Sequence, residues 1–408
     1  MKILHVIGQR PEKTGSGIYL QAMANELKKR DFSNYLVAGV PLNNTPDLKN
    51  IPADCCQYVY FESDILKFPV TGMSDVMPYE SSLFKDLNAD RLVAYKTAFS
   101  KALRKAVDLY RPDIIHTHHL LVLTALTRKL FPDIPVITTC HGTDLRQYNN
   151  CEHLREYVKK YCCQIDRIIS LTHDQKTDII QLYNISPDKI STISSGYDDK
   201  IFYRSPKAFS KRVHILYAGK FNRSKGVPWL LKSLIQIKEH DWHLHMAGSG
   251  RGPEYDECIA LSKMLGNQVT IHGYVTHHQL STLMKKAHIQ ILPSFFEGLP
   301  LVLFEGLASG CRIITTKLSG FEEIFGSAER DTIELIQLPE LEAIDKPFEE
   351  DERRLETALT QKIIEMISRV KESPDYQDPQ AEKISADYTW EQVFNRILSE
   401  YQKLMCSK

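Results

Sequence analysis

The sequence predicts an α/β protein made of two successive doubly wound parallel sheets. Three observations carry this reading. Short apolar runs rich in β-branched residues alternate with amphipathic helical segments along most of the chain, the pattern of a parallel sheet covered on both faces. The alternation breaks at Asp198–Lys211 and then restarts from a new strand. Finally, 408 residues are more than one hydrophobic core holds. The expected domains are residues 1–202 and 203–385, with the last segment, 386–408, returning to the first.

The elements follow in order. Lys2–Ile7 reads as a strand, Gly8–Gly17 as a polar loop and Ile18–Arg30 as an amphipathic helix; Tyr35–Val40 is a second strand. Leu42–Asp90 is irregular and punctuated by Pro41, Pro46, Pro52, Pro69 and Pro78, so it reads as a loop-rich insertion. In Arg91–Leu109 the residues Leu92, Tyr95, Phe99, Leu103 and Val107 fall near a 3.6 period. Strands at Asp113–His116, Val136–Thr139, Asp166–Leu171 and Lys189–Ile193 then alternate with helices at Leu120–Phe131 and Asp174–Tyr183. In the second half, strands at Val213–Ala218, His243–Ala247, Val269–His272, Ile289–Leu292 and Arg312–Thr315 alternate with helices at Val227–Ile237, Glu254–Leu265, His278–Lys286 and Pro300–Ser309. The chain ends in a helix, Thr389–Met405, whose stripe of Trp390, Val393, Phe394, Ile397, Leu398, Tyr401 and Leu404 must be buried against something.

Composition narrows the class. With 51 basic and 51 acidic residues, nothing supports nucleic-acid binding by bulk electrostatics. Nine cysteines, an odd number with adjacent pairs at Cys55–Cys56 and Cys162–Cys163, suit a reducing compartment better than a disulfide framework. The opening apolar run is too short for a signal peptide, and no run approaches a membrane span. The expectation is a cytoplasmic protein, with peripheral contact at the inner membrane face left open.

In open α/β sheets ligands bind beyond the carboxyl ends of the strands, so the loops there are the candidates, and two facing sheets would place a site in the cleft between them. Thr14-Gly15-Ser16-Gly17 opens a helix, where small residues and free N–H groups suit a phosphate, although a plain tight turn explains them as well. His116-Thr117-His118-His119 and His141-Gly142-Thr143-Asp144 follow two strands. Their imidazoles and carboxylate could suit zinc, yet no tetrahedral set is defined and strand alternation parts the neighbours. His141 is better read as a hydrogen-bonding or proton-handling group. Gly219-Lys220-Phe221-Asn222-Arg223-Ser224-Lys225-Gly226 sets three cations before a helix start, as phosphate ligands or as solvated surface charges. Ala247-Gly248-Ser249-Gly250 and His272-Gly273-Tyr274 follow the next two strands. In Ile291–Cys311, Glu297 lies in a turn and Glu305 in a nearly all-apolar helix. Glu305 needs either a Lys or Arg partner or a polyhydroxylated, phosphorylated ligand across the turn.

Together these motifs resemble the retaining glycosyltransferases of family 4, with the GT-B fold. Glu297-x7-Glu305 is similar to that family's E-x7-E signature, and Gly219-Lys220 with Lys225-Gly226 to its basic loop. His141-Gly142-Thr143-Asp144, Ser195-Gly196-Tyr197-Asp198, Gly248-Ser249-Gly250 and Gly15-Ser16-Gly17 occur in the matching order. The resemblance implies a nucleotide-sugar donor, a UDP-sugar being favoured, held by the second domain. It assigns the ribose hydroxyls to Glu305, the sugar hydroxyls to Glu297, and the sugar or diphosphate to the backbone of Gly298, Leu299, Leu301 and Val302. It gives the diphosphate to Lys225 and Lys220, with Gly15 and Gly17 touching the same phosphates, Gly248 beside the donor, Tyr274 near the base, and His141 on the donor sugar. His141, Lys225 and Glu297 would be the catalytic set.

Lys220 stands where many members carry arginine and lacks its bidentate fork, which Arg223 would supply. No Asp-x-Asp triplet occurs, so no metal or other cofactor is expected for donor binding. The acceptor is undefined: a sugar, a lipid-linked sugar or a small molecule, for cell-surface polysaccharide or glycolipid synthesis. A nucleotide-sugar epimerase or phosphorylase on the same fold is the first alternative. A dinucleotide-dependent oxidoreductase or a non-catalytic nucleotide-binding module is the second, weakened because Gly15-x-Gly17 lacks the third glycine of G-x-G-x-x-G.

Overall fold

The computed structural model describes all residues except 75–76, 298, 327–330, 344–345 and 407–408. Contacts divide the chain into two units, Met1–Ser195 with Trp390–Lys408, and Gly196–Thr389.

The first unit is built on a parallel sheet of β1 (Lys2–Ile7), β2 (Ser33–Pro41), β3 (Cys56–Phe61), β4 (Ile114–His118), β5 (Val136–Thr139), β6 (Arg167–Ser170) and β7 (Ile190–Thr192), in the order β3-β2-β1-β4-β5-β6-β7. Helices α1 (Gly15–Lys29), α2 (Ala89–Tyr110), α3 (Val122–Leu130), α4 (Thr143–Asn150), α5 (Glu152–Cys162) and α6 (His173–Tyr183) connect the strands. Five of the six residues of β1 are buried, as a central parallel strand covered on both faces requires. The expected insertion at Leu42–Asp90 contains β3, which extends the sheet by pairing Leu36–Pro41 with Cys56–Phe61. Its four-residue apolar run, Tyr58–Phe61, is visible, but the surrounding prolines mask it as loop.

The second unit repeats the plan with β8 (Val213–Ala218), β9 (Trp242–Ala247), β10 (Val269–Gly273), β11 (Ile289–Leu292), β12 (Arg312–Thr316) and β13 (Ile333–Ile336), in the order β10-β9-β8-β11-β12-β13. Its helices are α7 (Val227–Gln236), α8 (Pro253–Met264), α9 (His277–Lys286), α10 (Leu301–Ala308), α11 (Ser319–Phe325), α12 (Glu352–Glu372) and α13 (Pro379–Ala386).

The last helix, α14 (Trp390–Cys406), belongs to the first unit. Val393, Phe394, Ile397, Tyr401 and Leu404 pack on Ile3, Ile114, Ile137 and Ile169 of the sheet and on Tyr19, Met23 and Leu27 of α1. Five such side chains at ~2 kcal/mol each contribute on the order of 10 kcal/mol of gross stabilisation, before the entropy of ordering the helix. Polar contacts set the register: Tyr401 Oη lies 2.6 Å from His116 Nδ1, and Arg30 donates to Asn395 Oδ1 at 2.8 Å with its guanidinium over the Phe394 ring.

Each sheet reverses its strand order once, between β1 and β4 in the first unit and between β8 and β11 in the second. Such reversals open a crevice at the carboxyl ends of the strands, and the candidate loops leave from those ends.

Candidate functional site

In the second unit, two glycine-dependent contacts and a backbone hydrogen bond bring the loops after β8, β9 and β11 together. Gly226 caps α7 in the left-handed region (φ 69°), and a Cβ there would lie 1.9 Å from the carbonyl oxygen of Pro293. Only glycine lets the basic loop close on the loop after β11, which Phe295 N completes by donating to Ser224 O at 3.0 Å. Gly248 (φ 142°) would place a Cβ 1.8 Å from Gly219 O, so the loop after β9 meets the same loop from the other side.

This closure delivers Lys225 to Glu297, Nζ to Oε1 at 2.7 Å, with both side chains partly buried. Ser294 Oγ donates to the same Oε1 at 2.9 Å. Gly298 lies outside the described residues. Leu299, Leu301 and Val302 follow half-buried at the start of α10, where the Val302 carbonyl accepts from Gln290 Nε2 at 2.9 Å. One turn on, Glu305 is half-buried, and its side chain has no hydrogen-bond or ion-pair partner among the described residues. Burial pushes its carboxyl up to about 8, so the Lys or Arg partner that the sequence left open is missing from its surroundings.

The other residues of the basic loop diverge. Lys220 is exposed, and its carbonyl accepts from Tyr217 Oη at 2.6 Å. Arg223 turns away: its Nε and Nη2 donate to Glu257 at 2.9 and 3.2 Å, and its backbone N–H to Glu254 at 3.1 Å. It lines a cavity of about 230 Å³ with Trp229, Glu257 and Phe295, behind the loop rather than beside Lys225. Tyr274 is 85% exposed.

In the first unit, a buried carboxylate ties two loops together. Asp144 at the start of α4 accepts the His141 backbone N–H at 3.0 Å, the Leu120 N–H at 2.7 Å and His119 Nδ1 at 3.2 Å. Burial works against its charge, but His119 and these donors hold it down to about 2. His119 Nε2 in turn meets Ser16 Oγ at 2.9 Å, within the glycine loop. Gln9 Nε2 donates to Ser16 and Thr14 hydroxyls at 2.9 and 3.0 Å, and Thr14 caps α1 by accepting from Gly17 N at 3.1 Å. Gly17 is sterically required, since a Cβ would lie 2.7 Å from Pro11 C, whereas Gly15 has open space.

His141 is half-buried, edge-on to Tyr19, with Nε2 3.3 Å from His118 Nδ1. Burial and the neighbouring His119 hold it down to about 3, so the ring is neutral at physiological pH. Asp144 and Gln9 are the supporting residues that the sequence reading missed as such. Asp144 three residues after His141 is the one local signal; Gln9 has none.

His5, His116 and His118 lie close enough to suggest a metal site. However, the His116 and His118 rings stack at 10°, and both His116 nitrogens are engaged, by Tyr401 Oη and by Thr139 Oγ1 at 2.8 Å. His5 Nδ1 and His118 Nε2 are buried without a hydrogen-bond partner among the described residues, so at most two of the three rings offer a free nitrogen, and all three rings are buried.

Comparison with known proteins gives the family. Residues 14–200 match the family described as Glycosyltransferase Family 4, and residues 199–346 match Glycosyl transferases group 1. The chain belongs to this family of glycosyltransferases. Its two-sheet architecture is the GT-B fold. An uncharacterized glycosyltransferase of Methanocaldococcus jannaschii is 26% identical over 53% of the chain, a match that spans 60% of that relative's length. Among solved structures, sucrose-phosphate synthase of Thermosynechococcus elongatus superposes with a TM-score of 0.72 at 18% identity over all of both chains. The Anabaena protein HepE, solved with UDP and glucose, gives 0.65 at 15% identity over 99% of this chain and all of the other. At these identities the structural likeness concerns the fold.

Proposed function

We propose that the protein is a retaining hexosyltransferase that moves a sugar from a nucleotide-sugar donor, a UDP-sugar, to an acceptor hydroxyl. The observation that carries this reading is the half-buried carboxyl group of Glu305, without a partner among the described residues and eight residues beyond Glu297 of the Lys225–Glu297 pair at the strand-order reversal of the second sheet. A carboxylate in that state needs donors, and ribose hydroxyls supply two. Glu297 takes the hydroxyls of the transferred sugar, and Lys225 turns from Glu297 to the diphosphate. Lys220 and the backbone of Gly248, Leu299, Leu301 and Val302 complete the donor contacts, with Tyr274 near the base. In the first unit, Gly15 and Gly17 contact phosphate and His141, neutral, donates a hydrogen bond to the donor sugar. The solved complex of HepE with UDP and glucose supports a uridine donor.

Bond making and breaking occur on one face of the sugar. The acceptor oxygen attacks the anomeric carbon as the bond to the diphosphate breaks, and the departing phosphate oxygen takes the acceptor's proton. Lys225 and the helix start stabilise the charge that grows on that oxygen, so neither glutamate serves as a base and donor binding requires no metal. The nine free cysteines support a cytoplasmic setting, at most peripheral to the membrane; no helix among the described residues is long and apolar enough to cross one.

The test is a panel of nucleotide sugars screened by thermal shift, followed by NMR of the product formed with candidate acceptors. Stabilisation by one UDP-sugar and a product with the donor's anomeric configuration are expected. Inverted configuration, or conversion of the donor without acceptor, would overturn the reading.

A further inference from the structure

The second unit carries a row of imidazoles that the proposed reaction does not use. His214 on β8, His243 and His245 on β9, and His272 on β10 come from three adjacent strands. Strand alternation puts His243 and His245 on one face, and the register sets His243 beside His214. His214 Nδ1 lies 3.0 Å from His245 Nε2, and His245 Nδ1 lies 3.1 Å from His272 Nε2. The rings of His214, His243 and His245 have centroids 4.8 to 6.1 Å apart. His214 and His243 sit at the start of their strands, away from the donor loops that leave from the ends, whereas His272 lies at the carboxyl end of β10, beside Gly273 and Tyr274. His272 is exposed and His214 and His243 are half-buried, which gives solvent a way in.

We propose that this face binds a divalent transition-metal ion through His214 and His245. Two ligands of a tetrahedral ion with ~2.05 Å bonds stand about 3.3 Å apart. Replacing the proton shared by His214 and His245 therefore asks for an opening of about 0.3 Å and a turn of each ring by roughly 35°, which brings both lone pairs onto the ion. With Nε2 of His245 on the ion, its Nδ1–H donates to His272 Nε2, the outer hydrogen bond that orients a metal-bound imidazole. His243, whose Nε2 is engaged with Thr270 Oγ1 at 2.8 Å, is the next imidazole in the row. The cations acting on the row, Lys286 and Arg212, disfavour hard ions held by charge alone. The imidazole set favours Cu²⁺ over Ni²⁺ and Zn²⁺, and all three over Mg²⁺.

The experiment is titration calorimetry of the full chain, without a histidine tag, with Cu²⁺, Ni²⁺, Zn²⁺ and Mg²⁺, together with Cu²⁺ EPR for nitrogen hyperfine structure. One site per chain is expected for the transition ions and none for Mg²⁺. His245→Asn and His214→Asn should each weaken binding at least tenfold and remove hyperfine lines, with circular dichroism showing an intact fold; the exposed His153→Asn should change nothing. Equal affinity in the His214 and His245 variants, or no binding at millimolar Cu²⁺, would overturn the proposal.

Discussion

Replacing Glu305 with glutamine separates the cost of the carboxylate from its use. Its carboxyl stands at about 8 against an ordinary 4.5, raised by burial. A carboxyl whose folded pKa is raised contributes fully below pH ~4.5, and that contribution is lost as pH rises through 8. At pH 7 the gap from 4.5 corresponds to about 3 kcal/mol. Solvent contact with the half-buried side chain screens part of this, leaving about 1–2 kcal/mol. The unliganded Glu305→Gln variant should therefore melt about 3–6 °C higher than the native protein at pH 8 and no higher at pH 5. In the same variant UDP should bind roughly 10- to 100-fold more weakly, because hydrogen bonds to a charged acceptor contribute ~1.5–3 kcal/mol. Binding of UDP at pH 7 should also release a proton from the native protein as the ribose hydroxyls stabilise the carboxylate. Calorimetry in buffers of differing ionisation enthalpy would detect it. A variant no more stable at pH 8 would refute the assigned desolvation, and unchanged UDP affinity would refute the assigned role.

Other perturbations address separate parts of the molecule. Lys225→Ala should lower turnover by two or more orders of magnitude, whereas Arg223→Ala, held by Glu257 behind the loop, should leave UDP affinity within about threefold; steady-state kinetics and calorimetry of the pair decide between the cations. His141→Ala should lose most of its turnover while circular dichroism and melting temperature stay near native values. Gly226→Ala should destabilise the second unit by at least ~3 kcal/mol in urea unfolding, since it adds a Cβ clash with Pro293 O to a left-handed backbone. Finally, burial lowers His5 to about 4 and His116 and His118 well below their usual range. These rings contribute fully above pH ~6.5 and lose stability as pH falls towards 4, at up to ~1.4 kcal/mol per pH unit for each ring. Stability of the native protein against urea should fall steeply between pH 6.5 and 4.5, and His5→Asn should flatten that slope.

The parts of the fold that were legible depend on local pattern. Strands such as Val213–Ala218 and Ile289–Leu292 are dense in apolar residues between turn signals, and both appear with those bounds. Glu305 was legible as an oddity because a lone acid inside Leu301–Ala308 conflicts with every neighbour. What escaped depends on register or distance. Arg223 and Glu257 are 34 positions apart, and nothing local says that α8 will bring them together. The imidazole row is visible in sequence only as His243-x-His245; His214 and His272 join it through strand pairing alone. Helix α5 went unread because its buried face consists of Leu154, Val158 and Cys162 among charged residues, too thin a stripe to mark a period.

The Lys225–Glu297 pair has a consequence for the order of events. With no ligand, each group neutralises the other at 2.7 Å in a partly buried setting, so neither is left as an uncompensated charge when the donor is absent. A donor that approaches with its diphosphate offers Lys225 a doubly charged partner, and its sugar offers Glu297 hydroxyl donors. The pair therefore opens at least cost for a ligand that brings both at once. A free sugar would satisfy Glu297 and strand Lys225, while a bare diphosphate would satisfy Lys225 and strand Glu297 apart from Ser294. Glu305, with no such counterpart, waits for the nucleoside end. Lys225 and Glu297, set against two parts of one ligand, thus favour the complete donor over either part alone, and discrimination arises from the charge that an incomplete ligand would leave unpaired.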